Sequence, residues 1–533
     1  MRVSIMIKDD GNGMQSNGTE LFRPNSVVQM PGAEELYFRV RAGRIEQYGG
    51  IFKLYPGSVV STDTYFNIFS SSKYSVCTTA KNISITTTVS GNLEVESHSY
   101  SNTSDEVIDV KKIISDSPEE VCFLFNIEGL DDTQPVCHYI LYRSLGESIV
   151  HSFGSYVSDS EPNTVDMGIV ICTFKREQRV LQTLERLNDL LSGDKYTMPG
   201  NTTVYVIDNG RTIEKEQAKY DFVKLIPNKN NGGAGGYAKG ITEARKDGKT
   251  HILLMDDDVV VDINTIYKTA KFLSILNEDY RDAFILGGML LPEMPTIQYE
   301  AGAERIPVFK GGKSKLDLSL KESLLLNDRR EPAQYGGWWY HCMPAFVTDE
   351  LPLPVFIKMD DVMFGLRHMK NHIIMNGIGI WHDSFESKIN PVAEFYFLRR
   401  NTLIFDSVYG SKNGFKAGFD YLHTMLHCVK EGKNNEFFYT ERALRDFLKG
   451  PKILSEDGVN EILNVQVLER NYNDIEGSTI KKIVRNSNSR EILNLFLEGL
   501  NLVLNWNKIV KKYRGSMEYL TSVDFWEKFN KSD

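Results

Sequence analysis

No CxxC pair and no metal-type cysteine spacing occur in this chain; its six cysteines, Cys77, Cys122, Cys137, Cys172, Cys342 and Cys428, are scattered. That removes cysteine-based metal sites from consideration and makes reduced thiols in a cytosolic protein the expectation. No run of eighteen apolar residues is present, so no membrane-spanning helix is expected. The opening MRVSIMIKDDGNG lacks the apolar h-region of a secretory signal. Positive charge is not in excess either: 61 basic against 71 acidic residues leave a formal charge of −10. A nucleic-acid-binding surface is therefore not expected, and an anionic substrate would need a local positive site or a metal.

What remains has the composition of a folded soluble protein, with 41% hydrophobic and 25% charged residues. A length of 533 residues exceeds one core and predicts two to four domains. Residues 1–155 read as an all-β sandwich or jelly roll. Segments such as IFKLYPGSVVSTDTYFNIFS and NISITTTVSGNLEVES are rich in Thr, Val, Ile, Phe and Tyr, and are broken by Gly, Pro and Asn. Aromatics in this part either fill a core or offer a sugar-binding face, and core filling is the commoner role. From 156 to 400 the pattern changes to apolar strands alternating with helices: MGIVICTF, then TTVYVIDNG, then THILLMDDD. Such alternation predicts a parallel, doubly wound α/β sheet, whose ligands gather at the carboxyl ends of the strands. From 401 to 533 the apolar residues recur at three- and four-residue spacing, predicting a helical region.

Three carboxylates, Asp256, Asp257 and Asp258, close the apolar run ILLM. Like charges this close repel, so the triplet is either a turn or helix cap, or a site for a divalent cation; three in a row favour Mg²⁺ or Mn²⁺. The stretch NKNNGGAGGYAKG is Gly-rich and enters a helix. It is either a structural loop or a close approach for phosphate at the helix N-terminus, and it matches neither GxGxxG nor the P-loop. Trp338 and Trp339, in YGGWWYHCMP, form either a platform for sugar faces or part of the core. A second acidic pair, Asp360 and Asp361 in VFIKMDDVMFGLR, is either a cap or a general base with its neighbour. His382, in GIGIWHDSF, is structural or a nitrogen ligand to the cation. Near the end, NWNKIVKKYRG mixes Trp506 and Tyr513 with Lys508, Lys511, Lys512 and Arg514. That is either a solvated helix face or a rest on anionic headgroups.

Taken together in this order, CTFKRE, IDNG, NKNNGGAGGYAKG, LLMDDDV, GGWWYHCMP, FIKMDDVMFGLR and GIGIWHDSF resemble glycosyltransferase family 2 with the GT-A fold. More narrowly, they resemble the galactan-polymerising galactofuranosyltransferases of mycobacteria, whose β-sandwich, GT-A and helical parts span nearly the whole chain. The resemblance implies inverting transfer of galactofuranose from UDP-galactofuranose to a hydroxyl of a growing, lipid-linked glycan at the cytoplasmic membrane face. It implies Asp256, Asp258 and His382 as metal ligands, Asp361 as base with Asp360 beside it, and Trp338, Trp339 and His341 on the acceptor side. Phe174, Arg176, Asp208, Asn231 and Asp257 fall where the nucleotide sugar is held. One position departs: the family commonly has an acidic residue two after the base, where this chain has Met363. The same residues also suit a rhamnosyl- or pyranosyltransferase, or an inactive carbohydrate-binding protein, and homo-oligomerisation is left open.

Overall fold

The computed structural model describes residues 3–7, 14–193, 195–306, 309–384, 391–410, 413–455 and 489–531. Most of MRVSIMIKDDGNG, the expected helical residues 456–488 and residues 385–388 lie outside the described residues.

The strand Met167–Thr173 is apolar along both faces because helices cover both. Ile169 and Ile171 share a core with Val180, Leu184 and Leu187 of the helix Glu177–Leu191. Val170 faces the other way, into a core with Ala234, Ala238 and Ile241 of the helix Gly232–Lys246. Each such buried aliphatic side chain contributes about 1.5–3 kcal/mol of transfer free energy.

Seven strands form the central sheet, in the order Val223–Pro227, Thr202–Asp208, Met167–Thr173, His251–Asp256, His341–Pro344, Phe284–Leu286 and His372–Ile373. The first four are parallel, and His341–Pro344 runs against both of its neighbours. In chain order the parallel strands stand 3-2-1-4, so the order reverses between Met167–Thr173 and His251–Asp256, where a doubly wound sheet opens its crevice. Asp256 is in register with Cys172 across that point.

Before this sheet, nine strands lie between Val3 and Ser158. Cys137–Ser158 links most of them: Asn82–Tyr100 pairs along one edge, and Met14–Phe22, Ile51–Leu54 and Val59–Ser61 pair with the other. One short helix, Ser71–Cys77, interrupts the strands. Its Tyr74 meets Phe272 edge-on at 4.8 Å, so the β part and the α/β part share a core. The described elements after residue 391 are a π-helical turn, Val392–Phe397, and helices ending at Lys531. The expected limits at 155 and 400 fall inside Cys137–Ser158 and Leu398–Val408, hydrogen-bonded elements that a domain boundary does not cut.

Trp506 and Tyr513 are buried, their rings 5.8 and 5.2 Å from that of Phe447, so neither is available to a membrane. Their apolar faces are used to dock the helix Ser489–Leu520, which leaves Lys508, Lys511 and Lys512 exposed.

Candidate active site

A cavity of about 350 Å³ opens at the strand-order reversal, lined by Thr173, Phe174, Arg176, Asn209, Asn230, Gly232, Gly233, Tyr237, Asp256, Asp257, Phe356 and Phe397, among others. The loops around it carry residues in the left-handed backbone region: Lys175 (φ 56°), Arg211 (φ 53°), Phe356 (φ 74°), Lys358 (φ 65°) and Met359 (φ 69°). Such conformations cost energy in non-glycine residues and persist only where surrounding contacts enforce them. Here Arg400 and Asn401, both buried, donate to the carbonyls of Val355, Ile357 and Lys358 and pin the loop that leads into Asp360.

The Asp triplet divides its work. Asp256 accepts a hydrogen bond from Tyr237 Oη at 2.7 Å. Asp257 is buried and accepts from Thr173 Oγ1 at 2.7 Å and Arg176 Nη1 at 2.9 Å. Burial pushes its carboxyl above the ordinary range, partly offset by those two partners. Asp258 pairs with Arg176 at 2.8 Å and faces His382 Nε2 at 3.1 Å, with Asp256 3.8 Å from the same nitrogen. Ligand atoms of Asp256, Asp258 and His382 all lie within 4.8 Å of one another. His382 Nδ1 is 2.7 Å from the carbonyl oxygen of Asp383; a carbonyl only accepts, so Nδ1 carries the proton and Nε2 offers a lone pair. Two carboxylates and an imidazole oriented in this way fit a divalent cation of the Mn²⁺ or Mg²⁺ kind.

Asp360 and Asp361 open the helix Asp360–His368. Asp360 is buried and Asp361 half-buried. Burial pushes both carboxyls upward; the neighbouring Asp361 adds to this for Asp360, and the charge of Asp256 does so for Asp361. A third carboxyl, Glu300, was not legible as a site residue. Burial and the charge of Asp361 push it up to about 7. It arrives at the end of the strand Met294–Glu300, sixty residues away in sequence, so no local motif announces it.

The Gly-rich stretch is used in two ways. Gly232 has φ 71°, and a Cβ there would meet Phe356 O at 2.1 Å; Gly236 lets its helix close on Cys172, whose Sγ would lie 2.1 Å from a Cβ. Gly232 and Gly233 face the cavity. Tyr237, from the same helix, completes the setting of Asp256, which the glycine pattern alone did not reveal.

Four expected contacts are corrected. Asp208 is buried and accepts from the backbone N–H groups of Gly210, Thr212 and Ile213; it organises its loop, and Asn209 lines the cavity in its stead. Asn231 is buried with its side chain on Asn530, and Asn230 takes the lining position. His341 lies fully buried on a central strand, hemmed in by its neighbours, and cannot reach an acceptor. Trp339 is core: buried, with Nε1 donating to Gly287 O at 2.9 Å. Trp338 is also buried but stands edge-on to Tyr237 at 4.9 Å, immediately behind the Asp256 partner. Phe174 is 44% exposed, so its face is open to the cavity that it lines.

Comparison with known proteins agrees with this geometry. Residues 168–287 match the model of the family described as Glycosyl transferase family 2. The Galactofuranosyltransferase GlfT2 of Mycolicibacterium smegmatis (strain ATCC 700084 / mc(2)155) is 24% identical over 453 residues, covering 79% of this chain and 68% of that protein. The protein of the same name from Mycobacterium tuberculosis (strain ATCC 25618 / H37Rv) is 24% identical over 470 residues, 78% of this chain and 69% of that protein. Among solved structures, mannosyl-3-phosphoglycerate synthase from Rubrobacter xylanophilus is 11% identical with a TM-score of 0.26, covering 42% of this chain and 69% of that one. The matched segment holds the parallel strands, the Gly-rich helix and the Asp triplet, an arrangement that fits the GT-A fold. Residues 168–287, the segment that matches the glycosyl transferase family 2 model, are thus built around the crevice just described.

Proposed function

We propose that the protein transfers galactofuranose from UDP-galactofuranose to a hydroxyl of a growing glycan, with inversion at the anomeric carbon. The observation that carries this reading is the Asp256–Asp258–His382 cluster, whose Asp256 lines the cavity with Gly232 and Gly233 and whose charge reaches the Asp360–Asp361 pair. A Cβ on Gly233 would lie 3.4 Å from Asp360 Oδ2, which puts the second carboxylate pair against the Gly-rich turn.

In this reading Phe174 offers its face to the uracil, and Arg176 and the Gly232–Gly233 turn receive the diphosphate. Asp256, Asp258 and His382 would hold Mn²⁺ or Mg²⁺, which when bound supplies Lewis acidity and neutralises charge on the departing diphosphate. Asp361 accepts the proton of the attacking hydroxyl. Burial and the charge of Asp256 keep that carboxyl more basic than a free one, and its own charge pushes Asp360 further up. Trp338 backs the acceptor side, its Nε1 buried and without a hydrogen-bond partner among the described residues. Glu300, whose carboxyl feels the charge of Asp361, is assigned the part left open by Met363, a third acidic group for acceptor hydroxyls.

The reading divides the chain into a β domain, a GT-A catalytic domain and a C-terminal helical domain. It also includes peripheral contact with a membrane that carries the acceptor. With Trp506 and Tyr513 buried, that contact falls to the exposed Phe415, Phe419, Phe496, Leu500 and Leu504.

The test is an assay of the purified protein with UDP-galactofuranose, Mn²⁺ and short synthetic galactofuranosides, the product linkage being read by NMR. Transfer from another nucleotide sugar in preference would replace the donor assignment. Asp361→Asn is expected to abolish transfer while sparing UDP binding, and unchanged turnover would remove Asp361 from its role.

A further inference from the structure

The last helix of the chain, Val523–Lys531, lies against the Gly-rich helix. Trp526 anchors it, buried, with Nε1 donating to Pro352 O at 2.9 Å and its ring 3.3 Å from the position of a Cβ on Gly235. One turn further, Asn530 Oδ1 accepts from Asn231 Nδ2 at 2.9 Å. Lys246 adds an exposed bridge to Glu527 at 2.8 Å.

Asn231 is the N-cap residue of the Gly-rich helix, and asparagine at that place ordinarily accepts from an amide of the first turn. Asp262 and Asn413, in the same place on their own helices, do so. Asn231 makes no such bond. Three amides at this end are satisfied otherwise: Gly232 N donates to Asn230 Oδ1 at 3.2 Å, Ala234 N to Phe356 O at 3.1 Å and Gly235 N to Asn231 O at 3.2 Å. Gly233, which faces the cavity, is the residue whose N–H a capping asparagine would have used.

We infer that Asn530 is a positioning residue for the donor: by holding the Asn231 side chain off the helix, it leaves the Gly233 N–H to a diphosphate oxygen. The C-terminal helix thus belongs to the donor site although none of its residues lines the cavity. Without Asn530, Asn231 is free to rotate into the capping position and compete with the ligand for the same donor. The inference rests on the donor reading above.

The experiment is titration of UDP into the full-length protein with Mn²⁺, for the wild type, Asn530→Ala, Asn530→Asp, Asn231→Ala and the Asn231→Ala/Asn530→Ala pair, with thermal midpoints alongside. Asn530→Ala is expected to weaken UDP binding roughly ten-fold, the scale of one hydrogen bond to a charged ligand. Its thermal midpoint should be unchanged or raised, because a cap is gained. Asn530→Asp, which keeps the acceptor oxygen, should bind as the wild type does. In the Asn231→Ala background, Asn530→Ala should have no further effect. Equal UDP affinity for wild type and Asn530→Ala overturns the inference, as does an undiminished loss in the Asn231→Ala background or a fall in thermal midpoint that accounts for the loss. Absence of UDP binding by the wild type overturns the donor reading itself, and this inference with it.

Discussion

His382 Nε2 stands 3.1 Å from Asp258 Oδ1, and its other nitrogen is committed to the carbonyl of Asp383. The imidazole is therefore held in one tautomer before any ligand arrives, with its lone pair on the acidic side. Loss of an orienting partner alone typically lowers metal affinity roughly ten- to a hundred-fold, and removal of the ligand should cost at least as much. His382→Ala is expected to weaken Mn²⁺ binding to that extent in a titration without nucleotide. An unchanged Mn²⁺ isotherm would mean that His382 is only an ion-pair partner of Asp258.

The acidic limb of the pH–rate profile should report Asp361. Its carboxyl must be ionised to take a proton, and burial raises it above the ordinary range, so kcat/KM should climb with pH through a midpoint higher than a free carboxylate would give. Asp360 is pushed further up than Asp361 and stays protonated while Asp361 ionises, so Asp360→Asn should leave that midpoint in place. The sign for stability follows from the same shift. A carboxyl raised in the folded state favours folding while protonated, and that contribution is lost as pH rises through the folded value. Asp360→Asn should therefore raise the thermal midpoint more at pH 8 than at pH 5. A midpoint that falls on Asp360→Asn would show that Asp360 ionises first and that the limb does not report Asp361.

The α/β core was legible because its strands are continuous apolar runs ending in acids, a pattern that neither half-exposed strands nor amphipathic helices produce. The meeting of Asp256, Asp258 and His382 and the place of Asp361 in the first turn of a helix were legible for the same reason: each directly follows or opens a recognisable element. Asp208 and Asn231 misled because residue type and motif position say nothing of side-chain direction. One turns into its own loop and the other toward Asn530, nearly three hundred residues away. The tryptophan pair misled because two glycines before it suggested a loop, whereas a Cβ on Gly337 would lie 2.0 Å from the Trp339 ring. Gly337 makes room for a buried indole, and Gly336 for the side chain of Leu286. Glu300 and Tyr237 are brought in by tertiary folding and have no local signature.

Gly232 and Gly248 share a left-handed backbone, φ 71° and 72°, but only Gly232 has an atom in the way, Phe356 O at 2.1 Å from a Cβ. Gly248→Ala isolates the backbone cost, about 1 kcal/mol. Gly232→Ala should cost more, about 2–4 kcal/mol once the clash with a backbone carbonyl is added, read from denaturant midpoints. It should also lower transfer, because the displaced loop leads into Asp360 and Asp361. Equal costs for the two would show that the 356 loop yields freely and that the glycine is not needed for its approach.

The proposed membrane contact falls on one face of the helical region. Gly414 and Gly418 bring the helix Gly414–Glu431 close to Val503 and Trp506 of Ser489–Leu520, and Gly499 meets Leu422 in return, so the two helices run antiparallel. Phe415 and Phe419 on one, and Phe496, Leu500 and Leu504 on the other, remain 50–73% exposed, with Lys508 and Lys511 exposed further along. Large apolar side chains beside lysines suit an anionic lipid surface, where apolar insertion and charge attraction add. Phe419→Ser with Leu504→Ser should abolish co-sedimentation with vesicles containing anionic lipid, while leaving turnover of a short soluble acceptor unchanged because both side chains are exposed and neither lines the cavity. Lys508→Glu with Lys511→Glu should weaken binding to anionic vesicles more than to neutral ones. Undiminished co-sedimentation of the serine pair would assign the apolar face to protein contact, and a change in oligomeric state by light scattering would identify a second copy as its occupant.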